Sequence, residues 1–392
     1  MDSMRIIQKY IITVVCCLAL LPAMAQYKVT IIVDSLPDTL NTGNLFFTGS
    51  VNGWDPKNEK YILRKEGKSY SIRLSGIQSG TYEYKFTRGS WETVEVGTGG
   101  EYIGNRHFSI HSDTIVYCRI DGWKDGFPGM QKHHTASPRV LIPDTVFTIP
   151  ALNRSRKISV YIPENYQDSK ARYPVIYMLD GQNLFDDWSA FNAEWGVDEA
   201  ADSLIKKGKP AAIIVGIDNG PQRTTEYSPY PFDTVTKTEA DSFLSFIIHT
   251  IKPYIDSHLR TASSKIHTTI AGSSLGGLFS YYALLTHPDV FGNAGLFSPS
   301  FHINMPALKS LTVAQAGKAE GKVFFYIGEP EGGTYVENLK EIADELGTHS
   351  RAVIYRLIDP LGKHDEAAWR KWFPEFYTWI LSDGLNTPVT RN

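Results

Sequence analysis

Cysteine is nearly absent. Of three in 392 residues, Cys16 and Cys17 sit together near the N-terminus, and only Cys118 falls in the body of the chain. One thiol cannot close an internal disulfide, so a fold built without Cys16 and Cys17 must rest on burial rather than cross-links. An excess of charge of one sign is also missing. The 39 Lys and Arg meet 42 Asp and Glu for a net charge of -3, and no stretch is strongly basic. That balance excludes the electrostatic footprint of a nucleic-acid or anionic-membrane binder. Long apolar runs are lacking too: IITVVCCLALL falls short of the roughly 20 residues a membrane span needs, and nothing later is longer. There is no internal repeat or low-complexity tract. What remains, 42% hydrophobic and 21% charged residues, is the balance of a globular protein with a sizeable core.

The apolar run is preceded by Arg5 and Lys9 and followed by Ala23-Met24-Ala25. A charged segment, an apolar segment and an A-x-A site together form a cleavable secretory signal. The expected cut follows Ala25 and leaves Gln26 as the first residue. Val15 precedes Cys16 where a lipoprotein signal would have a small residue, so lipid attachment is not expected. An exported chain without disulfides fits a bacterial periplasm or exterior, and the predicted localisation is secreted or periplasmic, without a membrane anchor.

Two periodicities follow. Residues 26–123 read as short β-rich runs, YKVTIIV, NLFFTGSV, YSIRLSG, TYEYKFTRG and HFSIHSDTIVYCRI, between turn clusters such as NTGN and DPKN. Their length and spacing predict a small antiparallel sandwich. Residues 124–138, rich in Gly, Pro, His and Lys, read as a linker. From 139 to 392 apolar strand runs alternate with amphipathic helical stretches, the pattern of parallel strands joined by crossover helices. The strands are KISVYIP, PVIYMLD, AAIIVGID, IHTTIAG, AGLFSP, KVFFYIG and AVIYRLID, with helices near 194–207, 240–257, 275–286, 335–346 and 366–381. The predicted class is α/β, a doubly wound and mostly parallel sheet of seven or eight strands.

Where IHTTIAG gives way to the helix at 275, Gly272-Ser273-Ser274-Leu275-Gly276 forms a G-x-S-x-G match in a strand-turn-helix setting. On that turn Ser274 would present its hydroxyl to solvent, with glycine two residues to either side because nothing larger fits. A serine needs a base and an orienting acid, here in the order Ser, acid, His. Glu329 and Glu331 follow KVFFYIG, Asp359 ends AVIYRLID, and His364 lies in the loop after it. All stand at strand C-terminal ends, where open α/β sheets gather catalytic groups. His364 would relay the serine proton while a carboxylate fixes its tautomer. The oxyanion hole would combine the backbone N–H of Leu275 with that of Gln182, in the DGQ turn after PVIYML.

With these residues in place, the segment 139–383 resembles the Putative esterase family of α/β-hydrolases. That family includes feruloyl and acetyl-xylan esterases and the ferric enterobactin esterases. The resemblance rests on YMLDGQNLF, GIDNGPQRTTEYSP, AGSSLGGLFSYYALLTHPDVFG, the G-x-x-E of Gly328 to Glu331, and KHDEAAWRKWFPEFYTWI. It implies Ser274 as nucleophile, Glu331 as acid in preference to Glu329, and His364 as base. Arg223 and Glu226 fall on the family's R-x-x-E segment, either as an ion pair bracing the site or as substrate contacts. The N-terminal segment is similar to starch- and glycogen-binding modules of the immunoglobulin-like class. FFTGSVNGWDP and GTYEYKF carry that likeness, with Trp54 and Trp91 as candidate sugar-stacking residues, or Trp54 as a core residue.

The function these readings predict is a secreted serine esterase removing feruloyl or acetyl groups from plant oligosaccharides or polysaccharides, with no metal or organic cofactor. A siderophore trilactone esterase and a non-catalytic carbohydrate-binding protein are the alternatives. The loops near 188–195, 222–233 and 298–305 would line the acyl pocket, with Trp188, Phe191, Tyr227 and Tyr230 as its aromatics.

Overall fold

The computed structural model describes residues 26–37, 43–100, 103–127, 133–232, 235–382 and 389–391. The expected leader, 1–25, lies outside them. The chain divides into two compact units, Met1–Phe127 and Pro128–Asn392.

Among the described residues of the first unit nine strands run in sequence: β1 Gln26–Ser35, β2 Phe46–Gly49, β3 Arg64–Glu66, β4 Ser69–Gln78, β5 Gly80–Thr87, β6 Glu95–Val96, β7 Arg106–Ile110, β8 Thr114–Arg119 and β9 Gly122–Trp123. They form sheets of order β3-β4-β1-β8, β2-β5-β7 and β6-β9. Alternate residues of β1, Val29, Ile31 and Val33, pack with Phe47, Phe86, Phe108 and Trp123 in one buried cluster. The expected all-antiparallel pairing fails at one edge, where β1 pairs parallel with β8. The run HFSIHSDTIVYCRI, read as one strand, bends at 111–113 and sends β7 and β8 to different sheets.

The second unit continues with β10 Val140–Leu141, β11 Phe147–Ile149, β12 Arg154–Arg156, β13 Ile158–Tyr161, β14 Val175–Leu179, β15 Ile213–Ile217, β16 Thr268–Ser273, β17 Asn293–Phe297, β18 Lys322–Gly328, β19 Val353–Asp359 and β20 Val389–Arg391. Its helices are α1 Val197–Lys206, α2 Arg223–Tyr227, α3 Ala240–Phe246, α4 Lys252–His258, α5 Leu275–Thr286, α6 Met305–Gln315, α7 Gly333–His349 and α8 Glu366–Ile380. Among the described residues nine strands form one sheet, β10-β13-β15-β14-β16-β17-β18-β19-β20. From β15 through β20 neighbouring strands run parallel, and β13 runs antiparallel to β15.

Alternation sorts the core into two layers. Val175, Tyr177 and Leu179 join the helices α3 to α7 on one face, while Ile176 and Met178 meet α1 and α8 on the other. Both faces are covered, which is why these strands read as unbroken apolar runs. The helix expected at 240–257 is interrupted by a π turn, Ile247–Ile251. Pro253, at the start of α4, has no N–H to return to residue 249, and the widened turn accommodates that missing bond. Helix α6 was not anticipated. Its start is marked by Asn304, whose side chain accepts from Ala307 N–H at 3.3 Å, and by Pro306 in the first turn.

The expected linker is divided between the units. Lys124–Gly126 form a 3-10 turn in the first, whereas residues 134–139 are strapped onto the second. There Thr135 Oγ1 donates to Glu194, Ser137 N–H to Asp198, and Arg139 pairs with Asp202.

Candidate active site

Ser274 occupies the single residue between β16 and α5. Its backbone, at φ 56° and ψ -122°, lies where side-chain-bearing residues are rarely found. Such strain persists only where surroundings enforce it. Ser274 N–H donates to Phe297 C=O at 2.9 Å, and its own carbonyl accepts from Leu278 at 3.1 Å and Ser300 at 3.0 Å. A Cβ at Gly272 would come within 2.8 Å of the Gly276 backbone, so glycine is demanded there. At Gly276 a Cβ would meet nothing nearer than Leu179 Cβ at 3.4 Å. The expectation that both flanking glycines are sterically required therefore holds on one side of the serine alone.

His364 follows β19 and Glu331 follows β18, both at the sheet edge where Ser274 stands. His364 Nδ1 lies 2.7 Å from Glu331 Oε2. Glu331 is 7% exposed, and its other oxygen accepts from Gly328 N–H at 2.8 Å and from Ser298 Oγ at 2.6 Å. Of the three carboxylates considered, Glu331 is the one brought to the imidazole. Glu329 points to solvent. Asp359 is committed to Lys371 Nζ at 2.9 Å and Trp372 Nε1 at 2.7 Å; burial raises its pKa, but those donors prevail and hold it below the usual range. With Nδ1 donating to a carboxylate, Nε2 of His364 is the basic nitrogen.

After β14 the chain turns through Asp180, at φ 58°, into the 3-10 turn Gly181–Asn183. A Cβ on Gly181 would sit 2.6 Å from the backbone of Gly216, so this turn presses directly on β15. The Gln182 side chain accepts from Asn219 N–H at 3.1 Å, which fixes the residue against the neighbouring loop. Leu275 opens α5, and helix geometry gives its N–H no intrahelical acceptor.

Arg223 and Glu226 do not pair with each other. Arg223 grips Asp180 through both Nε (2.7 Å) and Nη2 (2.8 Å), and reaches Ser273 C=O at 3.5 Å. Burial lowers the pKa of this guanidinium, yet the Asp180 carboxylate outweighs it and raises it further. Glu226 is fully buried between Arg154, at 2.8 Å, and Arg156. Tyr227 is also fully buried, its hydroxyl accepting from Asp180 N–H at 3.3 Å. As substrate contacts Glu226 and Tyr227 are thus corrected: neither has surface to offer, because β12 and the Asp180 turn consume them. Trp188 is 59% exposed and stacks on His134 at 4.8 Å.

Three groups near this edge lie in segments the sequence singles out but carry no assigned role there. Glu366 opens α8, and burial, reinforced by Asp365 and Asp180 and opposed by His364, pushes its carboxyl up to about 7. Ser298 and Trp369 stand behind Glu331. In the first unit, Trp54 and Trp91 are partly exposed and face each other at 6.3 Å; Trp54, at φ 62°, is not part of the buried core cluster. Among the described residues no group of three or more His, Cys, Asp or Glu could hold a metal ion, and no helix is long and apolar enough to cross a membrane.

The mostly parallel sheet, covered on both faces and carrying this edge, is an α/β-hydrolase-like fold. Residues 149–380 match the esterase family described as Putative esterase, and the chain belongs to it. It is 28% identical over 254 residues to an endo-1,4-beta-xylanase/feruloyl esterase of Xylanibacter ruminicola, covering 59% of this chain and 34% of that protein. It is 30% identical over 192 residues to the ferri-bacillibactin esterase BesA of Bacillus subtilis, covering 42% and 64%. The chain thus spans less than two thirds of either relative. The enterobactin esterase FES of Shigella flexneri shares the fold at a TM-score of 0.52 and 15% identity, over 91% of this chain and 93% of that one. The family and both of these relatives are described as esterases.

Proposed function

We propose that the chain is an exported serine esterase acting on feruloyl or acetyl esters of plant polysaccharide fragments. The observation that carries the reading is the 2.7 Å contact between Glu331 and His364, at the same sheet edge as the strained Ser274. In this reading His364 Nε2 takes the Ser274 proton as Oγ attacks the acyl carbon. The oxyanion so formed is met by the N–H groups of Leu275 and Gln182. As the tetrahedral intermediate collapses, the sugar alcohol leaves with the proton from His364, and water then repeats the cycle on the acyl-enzyme. Asp180 and Arg223 brace the Gln182 turn, while Trp188 and Phe191 offer exposed rings to the acyl group or sugar. The xylanase/feruloyl esterase relative supports the polysaccharide substrate.

The immunoglobulin-like module belongs to the same proposal, with Trp54 and Trp91 as a sugar platform, as do the linker and the signal cut after Ala25. A siderophore ester is the second reading, favoured by the bacillibactin esterase relative. A panel of methyl ferulate, acetylated xylan, para-nitrophenyl acetate and ferric enterobactin, with Ser274→Ala as blank, separates them. Turnover of ferulate or acetyl-xylan supports the first reading. Turnover of enterobactin alone moves the protein to iron acquisition, and activity surviving in the Ser274→Ala blank rejects the assignment of the nucleophile.

A further inference from the structure

We infer that Ser298 and Trp369 form a one-way hydrogen-bond relay that holds Glu331, and through it His364, in register for catalysis. The inference rests on the proposed roles of Ser274, Glu331 and His364 and extends them to two positioning residues. Trp369 Nε1 lies 3.0 Å from Ser298 Oγ, and Ser298 Oγ lies 2.6 Å from Glu331 Oε1. Glu331 Oε2 lies 2.7 Å from His364 Nδ1.

The polarity of this chain follows from the donor inventory. An indole N–H can only donate, so Ser298 Oγ must accept from it. A hydroxyl has a single proton, and an ionised carboxylate can only accept, so that proton goes to Glu331. Glu331 Oε1 then holds two donors, Ser298 Oγ–H and Gly328 N–H at 2.8 Å. Its other oxygen is left for the imidazole. That division selects the Nδ1–H tautomer of His364 and makes Nε2 the nitrogen that takes the Ser274 proton. Reversing any link would set two donors or two acceptors against each other.

The relay is built into rigid parts. Ser298 is 2% exposed and held at φ 44°, directly after β17, with its N–H bonded to Tyr326 C=O at 2.7 Å. A serine kept at positive φ in a buried turn carries local strain, and its hydroxyl is the group the turn delivers to Glu331. Trp369 is 6% exposed and touches the same imidazole a second time, edge-on at 5.3 Å. Its other side packs on Trp195 at 5.4 Å, and Trp195 N–H bonds to Asn183 C=O in the turn that carries Gln182. One indole therefore spans the acid, the base and, through Trp195, the turn proposed to bind the oxyanion.

The test compares Ser298→Ala, Trp369→Phe and their double variant, with Ser274→Ala as the control for the underlying reading. Profiles are recorded in the Glu366→Gln background, because burial pushes that carboxyl up to about 7 and its charge couples to His364. Ser298→Ala should lower kcat about ten- to a hundredfold at little change in KM, the scale of a lost hydrogen bond to a charged group. Without that donor Glu331 becomes more basic and favours the imidazolium, so the acid limb of kcat/KM should move up by about half a pH unit. Trp369→Phe keeps a ring against His364, loses the N–H, and should move kcat and the limb in the same direction by less. In the double variant the tryptophan change should add nothing, since it acts through the hydroxyl. The relay is rejected if Ser298→Ala leaves kcat and the limb unmoved, if its cost falls on KM, or if the two effects multiply. Should Ser298→Ala fail to fold, the limb in Trp369→Phe decides alone. If Ser274→Ala retains activity, it is the catalytic reading that has failed, a result distinct from all of these.

Discussion

The proposed role of Ser274 as nucleophile begins with its backbone. Its conformation is strained, and three backbone hydrogen bonds hold the residue in that turn. Ser274→Ala should reduce turnover of aryl acetates by at least about a thousandfold with no loss of fold, measured as kcat/KM beside a thermal melt. Gly272→Ala should be far more damaging to folding than Gly276→Ala, since only the first drives a Cβ into backbone; melting temperatures of the two variants check it. Glu366 adds a pH dependence whose sign is set by burial. Burial pushes its carboxyl up to about 7 from an ordinary 4.5, so the stability that this one group contributes is fully present below about 4.5 and is lost as pH rises to about 7. Glu366→Gln removes this titration. Relative to the parent it should gain about 3 kcal/mol at pH 8 and nothing at pH 4, by denaturant melts at both values.

Among the elements, the turn after β14 and helix α2 act together. Asp180 accepts from Nε and Nη2 of Arg223 and from Asn219 Nδ2 at 2.6 Å, so one carboxylate ties the Gln182 turn to α2, and Arg223 reaches on to the end of β16. Arg223→Ala leaves Asp180 buried without its cation and should cost about 3 kcal/mol of stability, read by urea titration. If the Gln182 N–H serves the oxyanion, the same variant lowers kcat more than it raises KM. Arg154 and Arg156 of β12 hold α2 by pairing with Glu226, so the carboxylates Asp180 and Glu226 each have their own arginines. A sequence motif places Arg223 and Glu226 three residues apart, but partners are chosen by what lies opposite. Here the opposites come from β12 and from the turn after β14, more than 40 residues earlier.

At the scale of the whole molecule, the two units lend themselves to separate tests in the intact chain. On the proposed sugar-binding role of the first unit, replacing Trp54 and Trp91 with Ala should weaken retention on an immobilised glycan while para-nitrophenyl acetate turnover stays at the parental value, because both rings lie in the first unit and Ser274, Glu331 and His364 in the second. Loss of both together would contradict that division. The seven main strands of the large sheet were legible because a strand covered on both faces must be apolar along its length, and such runs stand out in any sequence. Ser274 and His364 were legible as candidates because a strand-turn-helix glycine pattern and a loop histidine are local features. Helix α6 and the edge strands β10 and β20 were not, being short or weakly patterned, although Asn304 and Pro306 signalled the start of α6. Local chemistry alone left Glu329, Glu331 and Asp359 as open alternatives. What the residues by themselves determined was the alternation of strands and helices and the kind of chemistry the edge can carry. Tertiary structure decided which carboxylate meets His364, which cation meets Asp180, and that Ser298 and Trp369 stand behind Glu331. Those pairings join groups 33 to 71 residues apart, so they are set by packing across the sheet rather than by any pattern along the chain.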